Sequence, residues 1–109
     1  MRALVTGVSG FIGSNIAERL LDMGWDVNGI DLKNCNNKSI NFFKGDILNK
    51  SILIKAMKKC DYVFHEAAKT VPAEFEIHPE TGLKTNILGT FNVLNVASRV
   101  GVKRVIIAS

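Results

Sequence analysis

The chain has 109 residues, 47% of them apolar, with 14 Lys and Arg against 10 Asp and Glu for a net charge of +4. That suffices for one domain around a single core and is too little for two complete domains. The basic excess does not indicate nucleic acid: Lys50, Lys55, Lys58 and Lys59 scatter over one expected helix, with no interleaved aromatics to stack on bases.

The first element in chain order is a buried strand over residues 3–6. Gly7, Gly10 and Gly13 follow it. Glycines at that spacing permit a tight turn, let a pyrophosphate approach the backbone, and let the next helix pack closely on the strand. The helix N-terminus then presents unpaired N–H groups and partial positive charge to an anion. Ile12, Ile16, Ala17, Leu20 and Leu21 share one face of that helix, and Gly24 is its expected stop.

Val27 to Asp31 is the second strand. Asp31 lies eighteen residues past Gly13, near the spacing of about 20 at which an acid bonds the ribose hydroxyls of NAD. Ile40 to Lys44 is the third strand. Asn49 caps a helix on which Leu53, Ala56, Met57 and Cys60 share a face at i, i+3, i+4 and i+7. Tyr62 to Phe64 is the fourth strand, and residues 67–78 read as a loop of functional length. Pro79 opens a long helix that Gly101 closes. Its Leu83, Ile87, Leu88, Phe91, Val93, Leu94, Val96 and Val100 leave it apolar on more than one side, so it needs a second cover besides the sheet. Val105 to Ala108 is the fifth strand.

This alternation predicts an α/β fold, a doubly wound parallel sheet ordered 3-2-1-4-5, with its ligand at the carboxyl ends of the strands near strand one. Cys35 and Cys60 lack metal-type spacing, so no metal is expected, and reduced thiols favour a cytoplasmic setting. Thr6, Ser9 and Asn15 interrupt any signal-peptide core, and no run is long enough for a bilayer.

Several segments, taken together, resemble the extended short-chain dehydrogenase/reductase family, especially its NAD-dependent NDP-sugar epimerases and dehydratases. Thr6-Gly7-Val8-Ser9-Gly10-Phe11-Ile12-Gly13 is similar to that family's opening motif, with G-x-x-G-x-x-G spacing. Gly45-Asp46-Ile47 resembles its adenine-contacting turn, and His65-Glu66-Ala67-Ala68 its H-x-A-A segment. Thr85-Asn86-Ile87-Leu88-Gly89-Thr90 resembles a segment of the family's long helix, and Val102-Lys103-Arg104-Val105 the approach to strand five.

The resemblance implies a Rossmann domain over residues 1–109, truncated after its fifth strand, as the N-terminal part of an enzyme two to three times longer. It implies NAD contacts by Gly7, Gly10, Phe11, Ile12 and Gly13 at the pyrophosphate, Asp31 at the adenosine ribose, and Asp46 and Ile47 at the adenine. Ala67, Ala68 and Lys69 match the loop under the pyrophosphate and nicotinamide ribose, and Thr85 a cofactor contact from the long helix. An unpaired carboxylate at Asp31 repels a 2′-phosphate, which favours NAD over NADP. Two positions depart from the pattern: Glu66 stands where the family has an apolar residue, and the loop from Lys69 to Pro72 is a residue short.

The family's acid/base pair, Tyr-x-x-x-Lys, does not occur. The single tyrosine, Tyr62, is followed four positions on by Glu66, and Ser109 resembles the start of the run that holds the catalytic hydroxyl. No catalytic residue is therefore expected within these residues. The implied activity is that of a sugar-nucleotide epimerase or dehydratase working by transient hydride transfer between NAD and the sugar, with a nucleotide-sugar as substrate. Two alternatives stand: an NADP-type carbonyl reductase of the same family, and a non-catalytic nucleotide-sensing module. The family's bundle-forming helix also implies a homodimer through residues 80–100.

Overall fold

Alternation along β1 (Arg2–Thr6) sets the architecture. Leu4 belongs to the core on one side of the sheet, Ala3 and Val5 to the core on the other, and all three are fully buried. A strand covered on both faces is what a doubly wound sheet requires. The computed structural model describes residues 1–67 and 79–107. The other strands are β2 (Asp26–Asp31), β3 (Asn41–Lys44), β4 (Tyr62–His65) and β5 (Arg104–Ile107). All pair in parallel in the order β3-β2-β1-β4-β5, as the alternation of elements predicted.

Among the described residues, three helices cover the sheet. Helix α1 (Phe11–Asp22) packs Ala17 and Leu20 onto the face that holds Ala3, Val5 and Val27. Helices α2 (Lys50–Met57) and α3 (Pro79–Val100) bury Leu53, Ala56, Met57, Val93, Val96 and Ala97 with Leu4, Ile30 and Val63 on the other face. Gly24 ends α1 as anticipated. Its φ is +84°, its N–H reaches Leu21 O, and the Trp25 N–H reaches Leu20 O, the paired bonds of a Schellman stop. Asn49 caps α2, its side chain accepting from the N–H groups of Ser51 and Ile52. Gly101, at φ +80°, follows α3.

Several expectations need correction. Strands β1 and β2 each begin one residue earlier, because Arg2 and Asp26 pair and Asp26 N–H bonds Met1 O. Ile40 precedes β3, its N–H turning back to Asn37 O. Helix α2 ends at Met57 and Lys59 takes a left-handed φ of 64°, so Cys60 reaches the same core from outside the helix. Ile12 does not share the buried face of α1. It is 59% exposed, beside Ile16, Leu20 and Phe64 in a shallow apolar depression. Strand β4 runs on to His65, which pairs with Thr6 and Ile107. Strand β5 starts at Arg104; Ala108 lies outside the described residues, as do residues 68–78 of the expected loop.

Candidate functional site

Parallel strands put the carboxyl ends of β1, β2, β3 and β4 along one edge of the sheet, and the residues singled out in the sequence gather there. At the end of β1, Gly7 takes a φ of +68°. A β-carbon on it would lie 2.9 Å from Ala67 N, so the turns after β1 and β4 are in backbone contact. Gly13 is tighter: its β-carbon would stand 2.1 Å from Gly7 O. The N–H of Gly10 bonds Gly7 O at 3.0 Å, and Gly10 itself is the N-cap residue of α1. Lacking a side chain, it leaves the first helical amides uncapped, and the first turn carries no acid. Phe11 and Ile12 stand exposed at that helix end. The arrangement offers an anion an open backbone surface at a positive helix terminus.

Asp31, at the end of β2, is fixed beside this turn. Its Oδ2 accepts the Ser9 N–H at 3.0 Å and its Oδ1 the Lys33 N–H at 2.9 Å, while Ser9 Oγ donates to Lys33 O. Each carboxylate oxygen keeps a lone pair for an incoming hydroxyl. Neighbouring strand β3 is held at its end by the Gly45 N–H bonding Asp31 O. Asp46 then shapes its own turn, with Oδ1 accepting the Leu48 N–H at 2.9 Å. Ile47 is largely buried in the core of α2 and α3, and a β-carbon on Gly89 would strike its Cδ1 at 2.4 Å. Its side chain is thus committed to the core, and its carbonyl oxygen is held by the buried Asn92 side chain.

At the end of β4 lies a buried hydrogen-bonded chain. Thr6 Oγ1 accepts the N–H groups of Glu66 and Ala67, both at 3.0 Å. With both lone pairs used, the Thr6 hydroxyl donates to His65 Nδ1 at 2.6 Å, and His65 Nε2–H donates to Thr90 Oγ1 at 3.0 Å. With Thr6 as the donor, the ring carries its proton on Nε2. Burial holds the His65 pKa below its usual 6.5. His65 is therefore a satisfied histidine at a strand end.

The structure brings together Gly7, Gly10, Phe11, Ile12, Gly13, Asp31, Asp46 and Ala67. Ala68 and Lys69 lie outside the described residues. Thr85 is half-buried on α3, as is Asn86. Helix α3 is tied to these turns through Gly89 against Ile47, Thr90 on His65, and Asn92. The Asn92 Nδ2 donates to Ile47 O and Leu48 O, each at 3.2 Å. Sequence reasoning missed the work of Thr6, Ser9, Thr90 and Asn92. The two hydroxyls inside the glycine motif were the available signal for Thr6 and Ser9.

Elsewhere, Cys35 is half-buried and Cys60 fully buried, with burial the main cause that pushes the Cys60 thiol up to about 11. Among the described residues, no three His, Cys, Asp or Glu cluster as metal ligands, and no helix is long and apolar enough to cross a membrane.

Residues 3–109 match the family described as "NAD dependent epimerase/dehydratase family". The chain belongs to that family. It is 31% identical to UDP-glucose 4-epimerase of Thermotoga maritima, solved with UDP-glucose, at a TM-score of 0.93, covering 100% of this chain and 38% of that one. It is 32% identical to the Thermus thermophilus UDP-glucose 4-epimerase solved with NAD, at a TM-score of 0.86, covering 96% and 36%. Human sterol-4-alpha-carboxylate 3-dehydrogenase, decarboxylating, is 34% identical over 109 residues, covering 99% of this chain and 28% of that protein. The chain therefore spans well under half the length of each of these relatives.

Proposed function

We propose that residues 1–109 form the NAD-binding domain of a sugar-nucleotide epimerase or dehydratase. The observation that carries this reading is Asp31, whose carboxylate is pinned by Ser9 and Lys33 beside an uncapped, glycine-built helix terminus. The pyrophosphate lies on the backbone from Gly7 to Gly13, with Phe11 and Ile12 offering their amides. Asp31 takes the adenosine ribose hydroxyls and repels a 2′-phosphate. Asp46, through its second oxygen, and Ile47 meet the adenine. Ala67, Ala68 and Lys69 pass beneath the nicotinamide end, and Thr85 contributes from α3.

NAD supplies reversible hydride acceptance from the sugar. This chain's residues bind and orient it, and the proton-transferring pair is supplied from outside these residues. Tyr62 is a packing residue, its ring 5.4 Å from that of Trp25. The isolated chain is accordingly inactive, and the complete enzyme acts in the cytoplasm on a nucleotide-sugar. A second reading, a sterol dehydrogenase, draws on the likeness to the human protein and shares the same cofactor domain. In a protein of the relatives' length, turnover of a nucleotide-sugar with no net NADH supports the first reading, and stoichiometric NADH from a 4-carboxysterol supports the second.

The cofactor reading is tested by thermal unfolding with NAD and with NADP. Binding to the folded state alone stabilises by about 2.7 kcal/mol at ~100 times the dissociation constant. NAD is expected to raise the transition and NADP to do so far less, and Asp31→Ala to weaken the NAD effect and erase the preference. An unaltered preference in that variant would remove Asp31 from the ribose role.

A further inference from the structure

Two buried titratable side chains occur among the described residues, His65 and Cys60. Cys60 precedes β4, at the end of the sheet away from the site. His65 ends β4 at the site, and it has no part in the NAD contacts proposed above. We infer that His65 is a positioning residue for the cofactor turn, holding Thr6 Oγ1 as the double acceptor that fixes the N–H groups of Glu66 and Ala67. The inference rests on the NAD reading and deepens it.

Proton counting decides its role. A threonine hydroxyl has one proton and two acceptor lone pairs. Thr6 spends both lone pairs on the turn after β4, so its proton must find another acceptor in a buried place, and His65 Nδ1 at 2.6 Å is that acceptor. Thr90 completes the arrangement by taking Nε2–H, which keeps the proton off Nδ1. The same turn backs onto Gly7, whose absent β-carbon would lie 2.9 Å from Ala67 N. Releasing Ala67 therefore loosens the floor against which the glycine turn is built.

A protonated ring breaks this scheme. With hydrogen on both nitrogens, Nδ1 can only donate, and Thr6 Oγ1 cannot accept from it and from both turn amides together. The Glu66 N–H also reaches Thr6 O at 3.2 Å, so the loss falls on the Ala67 N–H. Among the described residues, those placed against the ring carry no charge: Thr6 comes from β1, Thr90 from α3, and Ile107 stands beside it in register on β5. Glu66, half-buried, is the adjacent charged residue in the chain, and burial alone accounts for the lowered pKa of the ring. Because the folded-state pKa lies below 6.5, the stabilisation is complete above that value and is lost as pH falls below it. Cofactor affinity should follow the same direction.

The test measures NAD affinity by calorimetry from about pH 7.5 down to about pH 5.5, for the wild-type chain, His65→Asn and His65→Leu, with 15N spectra of the ring and unfolding curves without NAD. Losing one hydrogen bond of the turn corresponds to about a tenfold change in affinity. Wild type should weaken as the pH falls over that range, with Nδ1 unprotonated at neutral pH. Asparagine places an acceptor oxygen near the Nδ1 position, so His65→Asn should bind nearly as wild type at neutral pH and lose the pH dependence. His65→Leu should bind about tenfold more weakly at every pH. Wild-type binding by the leucine variant, an unchanged pH profile in His65→Asn, or a proton on Nδ1 at neutral pH would each overturn the inference. If the leucine variant does not fold, the asparagine profile and the ring spectrum decide. Absence of NAD binding by the wild type would sink the cofactor reading itself, and this inference with it.

Discussion

A β-carbon on Gly13 would sit 2.1 Å from the carbonyl oxygen of Gly7, whereas one on Gly24 would meet nothing within 4 Å. The two glycines thus answer different needs. Gly24 supplies a left-handed φ of +84°, for which an alanine carries a local penalty of roughly 1 kcal/mol. Gly13 supplies close approach between a helix and the turn before it, and neither side of that contact is a movable side chain. Gly13→Ala is expected to destabilise the chain on the order of 3 kcal/mol, since backbone must shift to admit the methyl group. Gly24→Ala should cost about a third as much. Thermal unfolding of both variants measures the difference, and equal effects would show that the α1–β1 turn can relax around a methyl group. The same turn holds the proposed pyrophosphate site, so NAD binding should suffer in Gly13→Ala and survive in Gly24→Ala.

At the scale of elements, helix α3 holds the turn after β3 from a distance of 45 residues, through the two bonds from Asn92 to Ile47 O and Leu48 O. Asn92→Leu keeps the branched shape at the γ position, with a modest increase in volume, and removes both N–H donors. Leaving buried carbonyls unpaired costs about 1–3 kcal/mol, so the variant should unfold earlier and the Leu48 and Asn49 amides should exchange faster with solvent. Exchange at the wild-type rate would mean that Asp46 alone shapes this turn.

This contact also marks what could be read in advance. Helix α1, its glycine stop, the Asn49 cap and the strand order all follow from local spacing and from the rule that strand-helix-strand units wind one way. Asp31 was legible because strand, turn, helix and acid occur in one continuous stretch. The Thr6–His65 bond depends on which residues of β1 and β4 come into register, 59 positions apart, and no local pattern encodes that. Cys60 kept a helical spacing from Leu53 although Lys59 had already left the helix, because burial of the thiol required only that the chain turn back into the same core.

For the molecule as a whole, α3 has two apolar faces and the sheet covers one. Val93, Val96 and Ala97 are buried, while Leu83, Ile87, Phe91 and Leu94 form a stripe along the other side, each between 44% and 59% exposed. A stripe of that length on a helix surface is a cost in water and a contact area for a like surface. The only cation over it is Lys50, whose Nζ lies 5.9 Å from the Phe91 ring and leaves the remainder uncovered among the described residues. The proposed homodimer pairs this stripe with its copy about a two-fold axis, as isologous interfaces do. Light scattering on the purified chain should then give twice the 12.0 kDa monomer mass at micromolar concentration. Ile87→Glu, a charge in the middle of the stripe, should return it to the monomer. Met23→Lys should leave the dimer intact, because Met23 is equally exposed but follows α1 on the opposite side of the sheet. A monomeric wild type would overturn the dimer, and a dimer that survives Ile87→Glu would move the interface to another face. The two outcomes also bear on the cofactor site, since Gly89, Thr90 and Asn92 lie on the same helix. A partner that clamps α3 would steady the adenine turn and the His65 ring together, so NAD affinity should fall in Ile87→Glu even though that residue touches neither.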